Sequence, residues 1–332
     1  MTTTIVTGAG GFIGGHLVAS LLKKGAEVVA VDQKPLHEWF QLHAGAENVR
    51  GDVSRLDVCD ELFAKHAVGD VYNLAADMGG MGFIENNKAL CMLSVLINTH
   101  MLKAAQSHGA HRYFYSSSAC VYAADKQTDV DVTALKESDA YPAMPEDGYG
   151  WEKLFSERMC RHFAEDFGLT TRVARYHNVY GTHGTFDGGR EKAPAAICRK
   201  VAQAKLAGTR EIEIWGDGRQ TRSFMFIDDC VEGTHRIMAS DVDEPINLGS
   251  NELVSINDLV TIVEEIADIE LSRTYILDAP QGVRGRNSDN GMILEQLGWE
   301  PSTPLRVGLE ATYRWIWDQL VAGHSSRSTS AA

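Results

Sequence analysis

The sequence predicts an α/β fold, a doubly wound parallel sheet with a smaller C-terminal α/β region for substrate, on three observations. Short β-branched runs alternate with helical stretches through the first half of the chain. A glycine-rich turn joins the first run to the first helix. An aspartate closes the second run, about 20 residues further on. Together these describe βαβ units of the Rossmann type, with parallel strands buried between two layers of helices.

The first strand is read at Thr3–Thr7. Glycines 8, 11 and 14 follow, and the next helix presents Phe12, Ile13, Leu17, Leu21 and Leu22 on one face, with Gly25 as its stop. Residues 27–31 form a second strand, Val49 marks a third, residues 71–74 a fourth and residues 113–116 a fifth. After Tyr176 the pattern loosens into short elements punctuated by Asp187-Gly188-Gly189 and Gly216-Asp217-Gly218. No internal repeat is present. Residues 1–176 are therefore expected to form mainly the dinucleotide-binding part, and residues 177–322 mainly the substrate region, with some return to the first sheet. The small, polar tail, residues 323–332, is expected to be disordered.

A chain of 332 residues suffices for one large α/β domain, or one domain plus a smaller one. Hydrophobic residues at 44% and charged residues at 23% are ordinary for a soluble globular protein. No apolar run reaches the roughly 20 residues of a membrane span. The first residues run straight into a strand with no signal-like leader, so a cytoplasmic protein is expected. Cys59, Cys91, Cys120, Cys160, Cys198 and Cys230 lack CxxC spacing and read as free thiols, with no metal site. A net charge of -14 opposes nucleic-acid binding. Basic pairs at Arg190 and Lys192, Arg199 and Lys200, Arg219 and Arg222, and Arg284 and Arg286 still suit a small anionic ligand; singly, such pairs are solvated surface.

Gly8, Gly11 and Gly14 let the backbone approach a pyrophosphate, whose charge is met by the amides of a helix N-terminus. Asp32, closing the second strand, can hold an adenosine ribose and would repel a 2′-phosphate, so NAD is favoured over NADP. Tyr149 and Lys153 stand at i and i+4 of one helical face. A phenol near pKa 10 is no base at neutral pH, but a neighbouring ammonium and the positive nicotinamide ring of a bound cofactor favour phenolate. Ser116-Ser117-Ser118 precedes this pair.

The combination resembles the extended short-chain dehydrogenase/reductase family of NAD-dependent epimerases and dehydratases. That resemblance implies NAD as cofactor and Ser118, Tyr149 and Lys153 as catalytic residues. It adds Phe12, Ile13, Asp52, Val53 and Ala75 to the cofactor contacts.

A narrower resemblance lies in the segments 73–84, 117–122, 136–140, 177–181, 188–196, 220–224 and 283–289. These are similar to the GDP-hexose epimerases of that family that invert carbons 3 and 5. The likeness implies GDP-mannose as substrate, a homodimer, and Cys120 and Lys192 as an acid–base pair. It also implies substrate contacts from Met78, Gly79, Gly80, Ser118, Cys120, Asn178, Glu191, Lys192, Ala193, Lys200, Arg222, Arg284 and Arg286. Ala123-Ala124, Trp151 and the stretch 202–210 depart from that pattern.

The chemistry can also be argued from the residues. A ketone at carbon 4 makes the hydrogens on carbons 3 and 5 acidic, and a base on one face with an acid on the other then inverts the carbon. Cys120 lies two residues beyond Ser118, so an extended segment would turn both side chains to the same face. A packed structural thiol is the plainer reading of Cys120, solvated surface that of Lys192, and a flexible crossover that of residues 78–82. Three alternatives stay open: a carbon-4 epimerase or other sugar-nucleotide enzyme, a net dehydrogenase, and a non-catalytic NAD-binding relative.

Overall fold

The computed structural model describes residues 2–329. Six parallel strands come first: β1 (Thr3–Thr7), β2 (Val28–Asp32), β3 (Glu47–Arg50), β4 (Val68–Asn73), β5 (Arg112–Ser118) and β6 (Thr170–Tyr176). Short strands follow as β7 (Val179–Tyr180), β8 (Glu211–Trp215), β9 (Thr221–Ser223) and β10 (Met225–Phe226), and β11 (Ile246–Leu248) then returns to pair with β6. The resulting seven-stranded sheet runs β11-β6-β5-β4-β1-β2-β3.

Side chains alternate across each strand, so each face of the sheet builds its own core. Val6, Tyr72, Phe114 and Ala174 point into one cluster, and Ile5, Val71, Tyr113 and Val173 into the other. The helices covering these faces include α1 (Phe12–Lys23), α2 (Leu56–Ala64), α3 (Met81–Asn86), α4 (Lys88–Leu93), α5 (Val95–Ser107) and α6 (Asp147–Phe167). In the second half come α7 (Ala193–Ala207), α8 (Ile227–Ala239), α9 (Ile256–Ala267), α10 (Gly291–Leu297) and α11 (Leu305–Thr329). Strands β12 (Leu253–Ser255) and β14 (Gly285–Arg286) flank β9, while β13 (Ser272–Ile276) pairs with β8.

The five strands read from sequence are all present, the first with its bounds unchanged and the other four with ends moved by one to three residues. Val49 alone marked β3 because that edge strand is exposed at both ends and carries no apolar run. The helix α11 is bounded at Thr329. The tail that the sequence suggests is disordered starts at Gly323, and residues 330–332 of it lie outside the described residues.

Strand order reverses between β1 and β4, so their C-terminal ends diverge into helices on opposite faces. That crevice is the position where open α/β sheets bind ligands. Thr7 opposes Val31 on one side and Asn73 on the other, which brings Gly8, Asp32 and Ala75 to one edge of the crevice.

Candidate active site

The dinucleotide end is built by the β1–α1 turn. Gly8 has φ +69°, and a Cβ there would stand 2.9 Å from the Ala75 nitrogen. A Cβ on Gly14 would meet the Gly8 carbonyl oxygen at 2.2 Å. Any side chain at either position would push β1, α1 and the β4 end apart. The α1 N-terminus has no side-chain cap and no acidic residue in its first turn, so its amides are free for an anion. Asp32 ends β2 half-exposed, its carboxylate accepting from the Lys34 amide at 3.0 Å. Asp52 accepts from the Ser54 amide at 3.0 Å, Val53 is buried beside it, and Ala75 donates to the Thr7 hydroxyl at 3.4 Å. Phe12 and Ile13 start α1 and pack half-buried against the core. These features fit NAD: helix N-terminal amides without a side-chain cap for the pyrophosphate, and a carboxylate at the end of β2 for a ribose.

The reaction end lies where β5 stops. Ser118 ends the strand, and Cys120 sits in a 3-10 turn, Ala119–Val121, instead of the extended segment expected from sequence. The Ser118 hydroxyl caps that turn by accepting from the Cys120 amide at 3.2 Å. Cys120 nevertheless shares an apolar cluster with Tyr149 and Cys91, to which Met78, Phe83 and Ile84 add their side chains. Helix α6 carries Tyr149 and Lys153 on its buried face, as their i, i+4 spacing requires.

Lys153 is buried, donates to the Ser116 carbonyl at 3.1 Å, and lies 4.7 Å from the Tyr115 ring centre and 5.5 Å from that of Tyr149. Glu152, also buried, places a carboxylate oxygen 3.8 Å from the Lys153 ammonium and accepts from Tyr115 and Ser156. Burial holds the Tyr149 phenol well above its ordinary pKa, with Cys120 and Glu152 adding to the rise and Ser118 opposing it. Lys153 alone therefore does not deliver the lowered phenol suggested by spacing; desolvation outweighs it.

Two loops far apart in sequence meet over the cluster. Gly80 donates its amide to the Arg190 carbonyl at 3.0 Å, and a Cβ on Gly80 would stand 2.4 Å from the Glu191 carbonyl oxygen. Arg190 reaches the Met78 carbonyl and Asp77, and lies over the Phe83 ring at 3.8 Å. A Cβ on Gly79 would meet Phe83 at 2.8 Å. The glycines of this segment are thus required by packing within the protein. Glu191 is held by Arg199 at 3.1 Å, Lys192 stands at the residue before α7 with no side-chain cap to that helix, and Ala193 begins it. Lys192 is half-buried, and desolvation holds its ammonium below the usual pKa while Cys120 and Cys230 oppose the shift.

The basic residues divide. Arg222 donates to the carbonyls of Thr221, Gln281 and Val283, and desolvation lowers its pKa to about 10. Cys120 and Arg284 both act on its charge, so these three groups are neighbours. Arg284 is paired twice with Asp217, at 2.9 and 2.7 Å, and Lys200 donates to the Glu213 carbonyl at 2.8 Å beside the Trp215 ring. Asn178, at φ 41°, donates to the Ser223 carbonyl at 2.9 Å. Arg286 differs from the rest: it is buried, its Nε donates to Gln127 at 2.7 Å, its Nη2 pairs with Glu146, and its Nη1 faces the Cys120 sulfur at 3.7 Å.

Sequence reasoning missed Gly150, Glu152, Cys91, Gln127 and Glu146. Gly150 and Glu152 stand inside the tyrosine–lysine motif, where a glycine in mid-helix is itself a signal of close approach. The other three had no local signal.

The chain resembles known proteins throughout its length. A sequence profile of the NAD dependent epimerase/dehydratase family matches residues 4–249. A GDP-mannose 3,5-epimerase 1 of Oryza sativa subsp. indica is 48% identical over 316 residues, covering 95% of this chain and 82% of that protein. The crystal structure of UDP-glucose 4-epimerase with UDP-glucose from Thermotoga maritima superposes with a TM-score of 0.85 at 25% identity, covering 96% and 99% of the two chains. UDP-glucuronic acid 4-epimerase from Bacillus cereus, in complex with UDP-glucuronic acid and NAD, gives 0.80 at 26% identity with the same coverage.

Proposed function

The chain belongs to the NAD-dependent epimerase/dehydratase family as an epimerase of nucleotide sugars, and we propose that it inverts carbons 3 and 5 of GDP-mannose. The product is then GDP-L-galactose, GDP-L-gulose or both. The observation that carries this reading is Cys120. A carbon-4 epimerase needs no acid–base pair beyond its tyrosine, yet here a thiol stands in the same cluster as Tyr149, with Lys192 from the opposite loop close enough to feel its charge. The similarity to the rice enzyme supports the choice of a GDP-hexose.

NAD, held by Gly8, Gly11, Gly14, Phe12, Ile13, Asp32, Asp52, Val53, Ala75, Tyr149 and Lys153, supplies a hydride acceptor and a positive ring charge when bound. The protein's own residues do the rest. Tyr149 takes the proton of the carbon-4 hydroxyl, and Ser118 hydrogen-bonds the same oxygen. Lys153 sets the charge beside the phenol. With a ketone at carbon 4, Cys120 removes a proton from the adjacent carbon and Lys192, its pKa lowered by desolvation, returns one from the other face. Asn178, Lys200, Arg222, Arg284 and Arg286 anchor the nucleotide diphosphate, which leaves the hexose in the reacting position. Met78, Gly79, Gly80, Glu191 and Ala193 line the sugar.

Two further readings accompany this one. Met92, Leu93, Leu96, Trp151 and Phe155 are all exposed on the adjoining helices α4, α5 and α6, an apolar surface of the kind that marks a protein–protein contact and here supports a homodimer. Among the described residues no helix is long and apolar enough to cross a membrane, and all six cysteines are free, as suits a reducing cytoplasm.

Incubation with GDP-mannose in heavy water, followed by NMR of the sugar, tests the substrate and the chemistry together. Deuterium at carbons 3 and 5 with inversion supports the reading. Inversion without deuterium at either carbon overturns it in favour of carbon-4 chemistry.

A further inference from the structure

A buried carboxylate must find hydrogen-bond donors or a cation, and the two oxygens of Glu152 meet that demand differently. Both hydroxyl donors go to Oε1, from Tyr115 at 3.1 Å and from Ser156 at 2.9 Å. The other oxygen, Oε2, is buried without a hydrogen-bond partner and stands 3.8 Å from the Lys153 ammonium. We propose that Glu152 is the positioning residue of Lys153, a counter-charge that fixes the ammonium beside Tyr149 and offsets part of its effect there. The inference rests on the reading of Tyr149 as the base for the carbon-4 hydroxyl.

Neighbouring positions of a helix point about 100° apart, so adjacency in sequence does not by itself bring two side chains together. Tyr115 closes that gap. Its hydroxyl donates to Glu152 while its ring centre lies 4.7 Å from the Lys153 ammonium, so a single β5 side chain is the template for both. Burial holds the Tyr115 phenol well above its ordinary pKa, with Glu152 adding to the rise, which keeps the proton in place for that bond. The Ser116 carbonyl accepts from Lys153 at 3.1 Å, and the Tyr149 ring centre lies 5.5 Å away. The other groups around this pair are Tyr113 from β5, Cys91 from α4 and Cys160 from α6, with Cys120 and Ser118 beside the Tyr149 phenol. None of these carries positive charge, so Lys153 is the cation that Glu152 faces. Burial is the main cause that raises Tyr149, and Glu152 adds to it. That suits a phenol that must take the carbon-4 proton and later give it back.

Glu152→Gln keeps the shape and the acceptor for Tyr115 and Ser156 but removes the charge. With GDP-mannose as substrate, the acid limb of kcat/KM should move down by about one pH unit, because the phenolate loses a like charge while Lys153 stays tethered to Ser116. Glu152→Asp keeps the charge and should hold the limb near that of the parent. A cycle of urea midpoints tests the pair without turnover. Lys153→Met strands a buried carboxylate and should lower the midpoint. Adding Glu152→Gln should recover most of the loss, since removing both members of a buried pair costs less than removing one. Loss of the fold in a single variant with recovery in the double is the same coupling in stronger form. An unmoved or raised acid limb in Glu152→Gln overturns the proposal, and so do losses in the cycle that simply add; where the variant turns over too slowly for a profile, the cycle decides alone. Failure of the Tyr149 reading shows instead as near-normal turnover in Tyr149→Phe, which does not depend on Glu152.

Discussion

The carbonyl oxygen of Cys120 occupies the space that a Cβ on Gly150 would need, at 2.3 Å. Helix α6 can therefore lie directly on the Cys120 turn, and Tyr149 reaches the same cluster as the thiol. Gly150→Ala should separate them. Overpacking at such a contact costs about 1–3 kcal/mol, while a misplacement of reacting groups by an ångström costs on the order of 10²-fold in rate. Turnover should thus fall further than stability, as compared by steady-state kinetics and urea unfolding. Equal losses in both would mean the contact is only structural.

Tyr149→Phe keeps the ring and removes the hydroxyl proposed to accept the carbon-4 proton. Turnover should drop by at least about 10²-fold, while calorimetric binding of GDP-mannose is largely retained. Near-normal turnover would rule out oxidation at carbon 4.

Cys120→Ala and Lys192→Ala should fail differently. The first should still reduce and reoxidise the bound cofactor but no longer exchange the hydrogens on carbons 3 and 5 with solvent. The second should lose inversion more than exchange, because the carbanion can be reprotonated from the face it left. NMR of the sugar in heavy water separates the two, and identical behaviour in both variants would refute a division of labour between opposite faces.

His177 is fully buried with Asn247 as its partner, and burial lowers its pKa from 6.5 to about 4. A depressed histidine is neutral in the fold but protonates when unfolded. Its contribution is therefore complete above about 6.5 and is lost as pH falls toward 4, amounting to about 3 kcal/mol at most. Urea midpoints at pH 7 and pH 4.5 should differ less in His177→Gln than in the parent. An equal pH dependence in both proteins would exclude His177 as a source of acid sensitivity.

Phe155 is 55% exposed on α6, with Leu93 at 57% on the adjoining α4. If this surface joins two copies, Phe155→Asp should convert a sedimenting dimer to monomer. A variant that remains dimeric would place the contact elsewhere.

Much of this was legible in the sequence because it is local. The Gly8, Gly11, Gly14 spacing, Asp32 at a strand end, and Tyr149 with Lys153 on one helical face all follow from periods of two and 3.6 residues. The loops of 77–84 and 188–196 were legible only through resemblance. Strands such as β7, β10 and β14 have two residues each, too few for any period to show. The contact between Arg286 and Cys120 spans 166 positions, and no spacing rule reaches that far. Charge clustering placed Arg286 with Arg284, but Arg284 lies just before β14, and the two arginines end on different partners, Asp217 for one and Cys120 for the other.

The seam between Gly80 and residues 190–191 has a consequence for anyone exchanging parts between related scaffolds. Each loop is the mould for the other: one must lack a side chain because its counterpart's carbonyl fills the space. Grafting either segment alone transfers half a joint, and the recipient meets a steric mismatch before it meets a new sugar. The two segments, more than a hundred residues apart, therefore travel as a pair, and successive single-segment swaps pass through a poorly fitted intermediate.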